Sequence, residues 1–259
     1  LQKCFWEDEI FRVLICILYH MDVAFPESHK YLKWYLLLAL IILSFGLWYV
    51  VLHENRQGIL TFAVLNIGQG DALFIESPTG KQVIVDGGPD KNLMGEISNV
   101  MPWYDREIDM IVVTNPDQDH YSGFIPLLDK YKVDSVLESG TTNTNPAYAV
   151  LENKIKQKNI PKVIAIRGQT IDLGGGAFLQ ILFPDRDISG LAPNTGSIVM
   201  KLVYGETSVM LQGDSISNVE HYLVGLGGDN LKSTIFKAGH HGSKTSNSLE
   251  YVEKVSPKW

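Results

Sequence analysis

The sequence predicts a mixed α/β sandwich preceded by a transmembrane helix, and three observations carry that prediction. From Trp34 to Leu52 runs WYLLLALIILSFGLWYVVL, without a charged residue. About 20 such residues let an α-helix cross a hydrocarbon core roughly 30 Å thick. After Gly58 the chain changes to short β-rich runs separated by Gly and Pro turns. Those runs then alternate with amphipathic helical stretches and hairpins, an order that favours an α/β sandwich over a doubly wound parallel sheet.

With 259 residues, 45% hydrophobic and 20% charged, the chain has material for one large domain or two smaller ones and is too apolar for disorder. Its net charge of -7 excludes a broad nucleic-acid groove held by Lys and Arg, because phosphate neutralisation dominates such binding. A metal centre gripping one phosphate locally is compatible with it. The two cysteines, Cys4 and Cys16, form no CxxC pattern, which rules out a disulfide scaffold. Leu1 at the start and SPKW at the end read as the limits of a piece of a longer protein.

Trp34, Tyr35, Trp48 and Tyr49 flank the apolar run, at the level where amphipathic rings prefer the headgroups. A soluble core helix of this length would carry a polar face, and a cleaved signal peptide would be shorter and nearer the N-terminus. Lys30 and Lys33 precede the run while Glu54 and Arg56 follow it. The positive-inside bias therefore puts the N-terminal side in the cytoplasm and the large C-terminal part outside. Upstream, IFRVLICILYHMDVAFP (Ile10 to Pro26) is interrupted by Arg12, His20 and Asp22. It reads as the end of another membrane helix, a re-entrant segment or an interfacial helix. The expected division is a membrane segment over 1–57 and a second domain over 58–259.

In the second part, TFAVLNI, DALFIES and QVIVDGG are expected strands, and IDMIVVT reads as a strand covered on both faces. YSGFIPLLDKY and NPAYAVLENKIKQK read as helices, the latter with Asn145 as N-cap before Pro146 at the first helical position. FLQILFP is a strand, SIVMKLVY-GE-TSVMLQGD a hairpin, NVEHYLVGL a helix, STIFKAG a strand and SNSLEYVEKV a last helix. The GGG of DLGGGAFL reads as a turn, since no helix follows to cradle a phosphate. Trp103 and Tyr104 read as cover for a core edge.

Chemistry concentrates at strand ends. TNPDQDH places Asp117, Asp119 and His120 just past a buried strand, where they repel or compete unless a divalent cation sits among them. Post-strand Asp and Asn are also ordinary turn formers, so three further rims matter. LQGDS brings Asp214 to a strand end, KAGHHGS brings His240 and His241, and NIGQGDA brings Asp71. Adjacent residues of a strand point opposite ways, so one of the two histidines is the expected ligand. Lys244 is a candidate phosphate contact.

NIGQGDALFIESPTGKQVIVDGG, TNPDQDHYSG, NTGSIVMKLVYG, VMLQGDS and LKSTIFKAGHHGS together resemble a metallo-β-lactamase-fold hydrolase, most of all the C-terminal domain of ComEC-type DNA-uptake channels of natural competence. The resemblance covers nearly all of 59–259 and implies a metallo-β-lactamase-like αββα sandwich with a metal site at one edge, cut short at its C-terminal end. It implies that Asn115, Asp117, Asp119 and His120 match the His-x-His-x-Asp-His loop, Asp214 the metal-bridging aspartate, and His240 or His241 the late histidine ligand. Asn66 stands where the family's first strand motif carries Asp, while Asp71 is retained. An amide oxygen at Asn115 is a poor ligand, so one well-held cation and a weak or empty second position are expected. Zinc, manganese or magnesium would suit the donors.

The resemblance further implies metal-assisted hydrolysis, with Asp117 or Asp119 orienting the water or taking its proton. DNA would be the substrate, the plasma membrane the location with the hydrolase facing outward, and other competence proteins the partners. The alternatives are a non-catalytic domain that binds metal or DNA or braces the channel, and a tethered hydrolase of another ester.

Overall fold

The computed structural model describes residues 31–54 and 58–259, so the interrupted apolar stretch Ile10 to Pro26 and both cysteines lie outside the described residues. The chain divides into two units, Leu1–Asn55 and Arg56–Trp259. In the first, α1 (Leu32–Glu54) is a continuous helix. Its stretch Leu32–Val50 has a mean hydropathy of 1.7 with none of it buried, long and apolar enough to cross a membrane. Leu36, Ile42 and Phe45 are among its exposed side chains, a continuous apolar surface that soluble proteins rarely leave to water.

The second unit is built on two sheets. One contains β1 (Thr61–Val64), β2 (Ala72–Glu76), β3 (Gln82–Gly87), β5 (Met110–Val113), β7 (Val136–Glu138) and β8 (Lys162–Ile164), side by side in that order. β1 to β3 are antiparallel, and β3, β5, β7 and β8 run parallel. The other contains, in spatial order, β13 (Ile235–Phe236), β12 (Thr207–Leu211), β11 (Val199–Tyr204), β10 (Ala177–Phe183) and β9 (Thr170–Gly174). A separate two-stranded ladder pairs β4 (Glu107–Ile108) with β6 (Lys132–Val133).

Alternation along the strands explains why the apolar runs are continuous. Phe74, Ile84, Ile111 and Val113 face outward beneath α2 (Asn92–Val100), α4 (Phe124–Lys130) and α5 (Pro146–Gln157), meeting Leu93, Phe124 and Leu151. Their neighbours Leu73, Ile75, Val83, Val85 and Val112 turn the other way and meet Leu179, Met200, Leu202 and Leu211 of the second sheet. The far face of that sheet carries Val199 and Met210 under α6 (Ser217–Gly227) and α7 (Leu249–Val255), which contribute Val219, Leu223 and Tyr251. Each such aliphatic side chain, fully buried, contributes about 1.5–3 kcal/mol. The layers are helix, sheet, sheet, helix, as the sequence predicts.

Several expectations are adjusted in detail. The expected helix over YSGFIPLLDKY is α4 preceded by a separate single turn, α3 (Gln118–Tyr121). STIFKAG contributes only Ile235 and Phe236 to the sheet, and Trp103 is 81% exposed rather than covering a core edge. The helix α2 and the strands β7 and β8 were not legible, being short or, like Lys162–Ile164, exposed along their whole length.

Candidate metal centre

The rim where β3, β5 and β12 end gathers the charged residues. Asp86, next to the last residue of β3, is 1% exposed and adopts φ 59°. Its Oδ1 accepts the backbone N–H of Thr114 at 2.8 Å and its Oδ2 accepts the Thr114 hydroxyl at 2.7 Å. The same Oδ2 lies 2.9 Å from Nδ1 of His120. With its proton held at Nδ1 by that carboxylate, the neutral imidazole presents a bare Nε2 on the opposite side.

That Nε2 faces the other rims. It lies 3.1 Å from Oδ2 of Asp214 and 4.0 Å from Oδ1 of Asp119, yet neither it nor Oδ1 of Asp214 has a hydrogen-bond partner although both are buried. A nitrogen lone pair aimed at a carboxylate is repulsive unless a proton or a cation lies between them. Burial opposes an imidazolium at His120, but Asp86 and Asp214 outweigh it and hold its pKa well above 6.5. Proton and cation therefore compete for one place.

Asp119, His120, Asp214 and His241 each offer one ligand atom, and these atoms lie within 4.8 Å of one another. Nε2 of His241 is 3.3 Å from Oδ2 of Asp119 and 3.7 Å from Oδ1 of Asp214. Two carboxylates and two imidazoles suit a borderline divalent cation such as zinc and tolerate manganese. The orphaned Nε2 and Oδ1 at the centre of the group make the fit specific.

Two glycines let the rims approach. Gly70 has φ 96°, and a Cβ there would stand 2.3 Å from the Asp119 carbonyl oxygen. At Gly213 (φ 48°) a Cβ would stand 2.4 Å from Oγ of Ser197, the oxygen that accepts the Asp214 N–H at 3.0 Å. Any side chain at either position would push these neighbours aside.

Of the two adjacent histidines, His241 belongs to the four-residue group and His240 stands beside it. They lie in a turn, His240–Gly242, with φ 49° at His240 and 51° at His241, so strand alternation does not apply. Nε2 of His240 is 3.7 Å from Oδ2 of Asp214, and its Nδ1 is 3.0 Å from the Thr245 hydroxyl. The Asp119 contact comes first and the Asp71 contact second in raising the His241 pKa to about 9.

The remaining candidates are placed differently. Asn115 is fully buried, and its Oδ1 accepts the Asp117 N–H at 2.8 Å, so that oxygen serves the turn. Oδ1 of Asp117 accepts from Nδ2 of Asn143 at 3.2 Å, and burial together with Asp119 raises its pKa. Asp71 is buried, with Nζ of Lys237 at 2.5 Å from Oδ2 and Nδ1 of His241 at 3.3 Å from Oδ1. Burial works against its charge, but His241 and Lys237 prevail and bring its pKa down to about 2. Lys244 is exposed. So is Asn66, whose backbone N–H lies 3.3 Å from a carboxylate oxygen of Glu96.

Asp86, Thr114, Ser197 and Lys237 escaped the sequence reading. The signal for Asp86 was present in QVIVDGG, where a carboxylate closes an otherwise apolar strand. The others pair across distances in sequence that no local pattern carries.

ComE operon protein 3 of Bacillus subtilis is 24% identical over 217 residues, covering 75% of this chain and 27% of that protein. Recombination protein 2 of Haemophilus influenzae is 27% identical over 74% of this chain and 23% of its own length. Competence protein ComA of Neisseria gonorrhoeae is 24% identical over 80% of this chain and 27% of its own. The chain thus spans about a quarter of the length of these curated relatives. Among solved structures, the diiron β-hydroxylase CmlA of Streptomyces venezuelae overlays with a TM-score of 0.48 at 16% identity, over 76% of this chain and 43% of that one. A metallo-β-lactamase of Cronobacter sakazakii overlays with a TM-score of 0.45 at 14% identity, over 78% and 88%. The profile described as "Metallo-beta-lactamase superfamily" matches residues 65–258, three quarters of the sequence, and the chain belongs to that superfamily.

Proposed function

We propose that residues 58–259 form a metal-dependent phosphodiesterase acting on DNA, and that residues 1–57 form a membrane segment anchoring it through α1. The observation that carries the reading is the convergence of Asp119, His120, Asp214 and His241 around an unpartnered buried imidazole nitrogen and carboxylate oxygen. Relatives named for competence and recombination favour DNA over other esters, and the acidic chain favours a local grip on phosphate over a broad basic groove. The positive-inside bias of Lys30 and Lys33 puts the catalytic unit on the outer face of the plasma membrane, where it would meet incoming DNA and other competence proteins.

Asp119, His120, Asp214 and His241, with His240 alongside, would hold the cation, zinc or manganese. Bound there, it supplies Lewis-acid polarisation of a phosphoryl oxygen and a lowered pKa for water. The chain supplies the rest. Asp86 keeps the His120 proton on Nδ1, and Asn143 ties Oδ1 of Asp117, which leaves Oδ2 of Asp117 as the oxygen that takes a proton from an attacking water.

The test uses the 259-residue chain in detergent micelles, with metal content by elemental analysis and cleavage of labelled single- and double-stranded DNA under added manganese or zinc. Asp214→Ala is expected to lose the bound metal and to cut cleavage by about 100-fold or more. Undiminished cleavage in that variant refutes the assignment.

A second reading is favoured by Asn115. Its oxygen is committed to the Asp117 N–H, so one cation position is supported and a second is weak. On that reading the domain binds DNA or braces a channel without turnover, and a chain that carries one metal yet cleaves nothing with any cation decides for it.

A further inference from the structure

We propose that Lys237 and Asp71 are a positioning pair, which holds the His241 ring in the one orientation that turns its Nε2 toward Asp119 and Asp214. The inference deepens the metal-centre reading, and rests on it for the cation that His241 faces.

The turn that carries His241 does not hold its ring. With φ 51° and ψ 30°, the residue sits in a left-handed conformation that costs a non-glycine residue about 1–2 kcal/mol and persists where the surroundings impose it. The surroundings grip the ring at both nitrogens. Nδ1 lies 3.3 Å from Oδ1 of Asp71, and Nε2 lies 3.3 Å from Oδ2 of Asp119.

Asp71 is itself fixed on every side. Its backbone N–H donates to the Asp119 carbonyl at 3.3 Å, and its own carbonyl accepts from Gly88 at 2.9 Å. Its side chain is 7% exposed, and its Oδ2 accepts from Nζ of Lys237 at 2.5 Å. The ammonium arrives from the segment that delivers His241 four residues later, anchored by the Lys237 N–H on the Met210 carbonyl at 3.1 Å. Lys237 therefore occupies the carboxylate oxygen that His241 does not, and one oxygen is left for the ring.

The ammonium also resolves an electrostatic conflict. Asp71 shares a small space with Asp86, Asp119 and Asp214, and without a counter-charge it would compete with Asp119 and Asp214 for the cation. Neutralised by Lys237, it acts as an orienting acceptor. This separates two adjacent imidazoles of otherwise equal chemistry. His240 has the Thr245 hydroxyl at Nδ1, while His241 has a carboxylate, the stronger acceptor.

The experiment uses the full chain in micelles, labelled with nitrogen-15 at histidine. Metal-free protein is expected to show a ring Nδ1–H resonance protected from solvent exchange, assigned to His241 by its loss in His241→Gln. Asp71→Ala and Lys237→Met should each lose it, and Lys237→Arg should keep it. Cobalt affinity, from competition with a chelator, should weaken about 10- to 100-fold in each losing variant. The double variant should fall no further than the weaker binder of the two, because both act through one contact. If D71A does not fold, K237M and K237R alone carry the comparison. A protected proton that survives K237M, or losses that multiply in the double variant, overturns the inference. A chain that binds no cobalt removes the metal-centre reading and leaves the ring proton to decide the positioning. Cobalt binding without DNA cleavage removes the nuclease reading alone.

Discussion

Single residues decide which charges in this protein are tolerated. At the rim, two buried carboxylates have their own cation or donor, Asp86 from Thr114 and His120 and Asp71 from Lys237 and His241, while Oδ1 of Asp214 has none. Away from the rim one pair is short of charge. Glu138, 4% exposed, shares Lys162 with Glu152, the ammonium lying 2.6 Å from one and 2.7 Å from the other. Burial first, with Glu152 adding to it, pushes the Glu138 carboxyl up to about 7 against the opposing pull of Lys162. Unfolded, Glu138 ionises near its ordinary value of 4.5, so between these pH values the unfolded state has released a proton that the folded state keeps. The stabilising contribution is complete below 4.5 and is lost as pH rises through 7. At about 1.4 kcal/mol per pKa unit the loss is on the order of 3 kcal/mol, an upper figure because Lys162 shares the charge. Urea unfolding of Glu138→Gln beside the unaltered chain, between about pH 5 and pH 8, is expected to show a flatter pH dependence in the variant. Equal slopes would refute it.

At the scale of elements, local chemistry sets where helices begin, and packing sets how short strands survive. α5 starts as its sequence prescribes: the Asn145 side chain accepts the Ala147 N–H at 2.9 Å and Pro146 takes the first helical position. Asn145→Ala should cost about 1 kcal/mol, and Asn145→Ser should recover most of it; thermal unfolding followed by circular dichroism measures both. If the alanine variant is as stable as the serine one, the cap contributes nothing. β13 is the opposite case. Its two residues, Ile235 and Phe236, pair in parallel with Val209 and Met210. The chain then leaves the sheet, which places His240 and His241 on a turn rather than at a strand end.

At the scale of the whole second unit, the two inner sheet faces pack against each other, and the rim geometry depends on their separation. Leu179, fully buried between the sheets, should cost about 2–5 kcal/mol as Leu179→Ala, because the sandwich can relax only partly around the cavity. Leu191, 42% exposed, should cost within about 0.5 kcal/mol when changed to alanine. Denaturant midpoints of the two variants check the contrast, and similar losses in both would mean that the inter-sheet layer does not carry the stability.

The sequence by itself determined the mixed α/β sandwich class and the length and apolarity of α1. Period-two alternation, turn residues and an uninterrupted apolar stretch are local signals of large energetic weight. It also named most of the charged residues at the rim, because Asp119, His120, Asp214 and the paired histidines each close a recognisable strand or loop motif. Tertiary structure alone decided how those side chains divide the work. Asn115 is spent on its own turn, His241 joins the cluster with His240 beside it, and Asp86 and Lys237 orient what others present. Those assignments depend on distances between residues far apart in the chain, which only the packing of one sheet against the other brings within hydrogen-bond range.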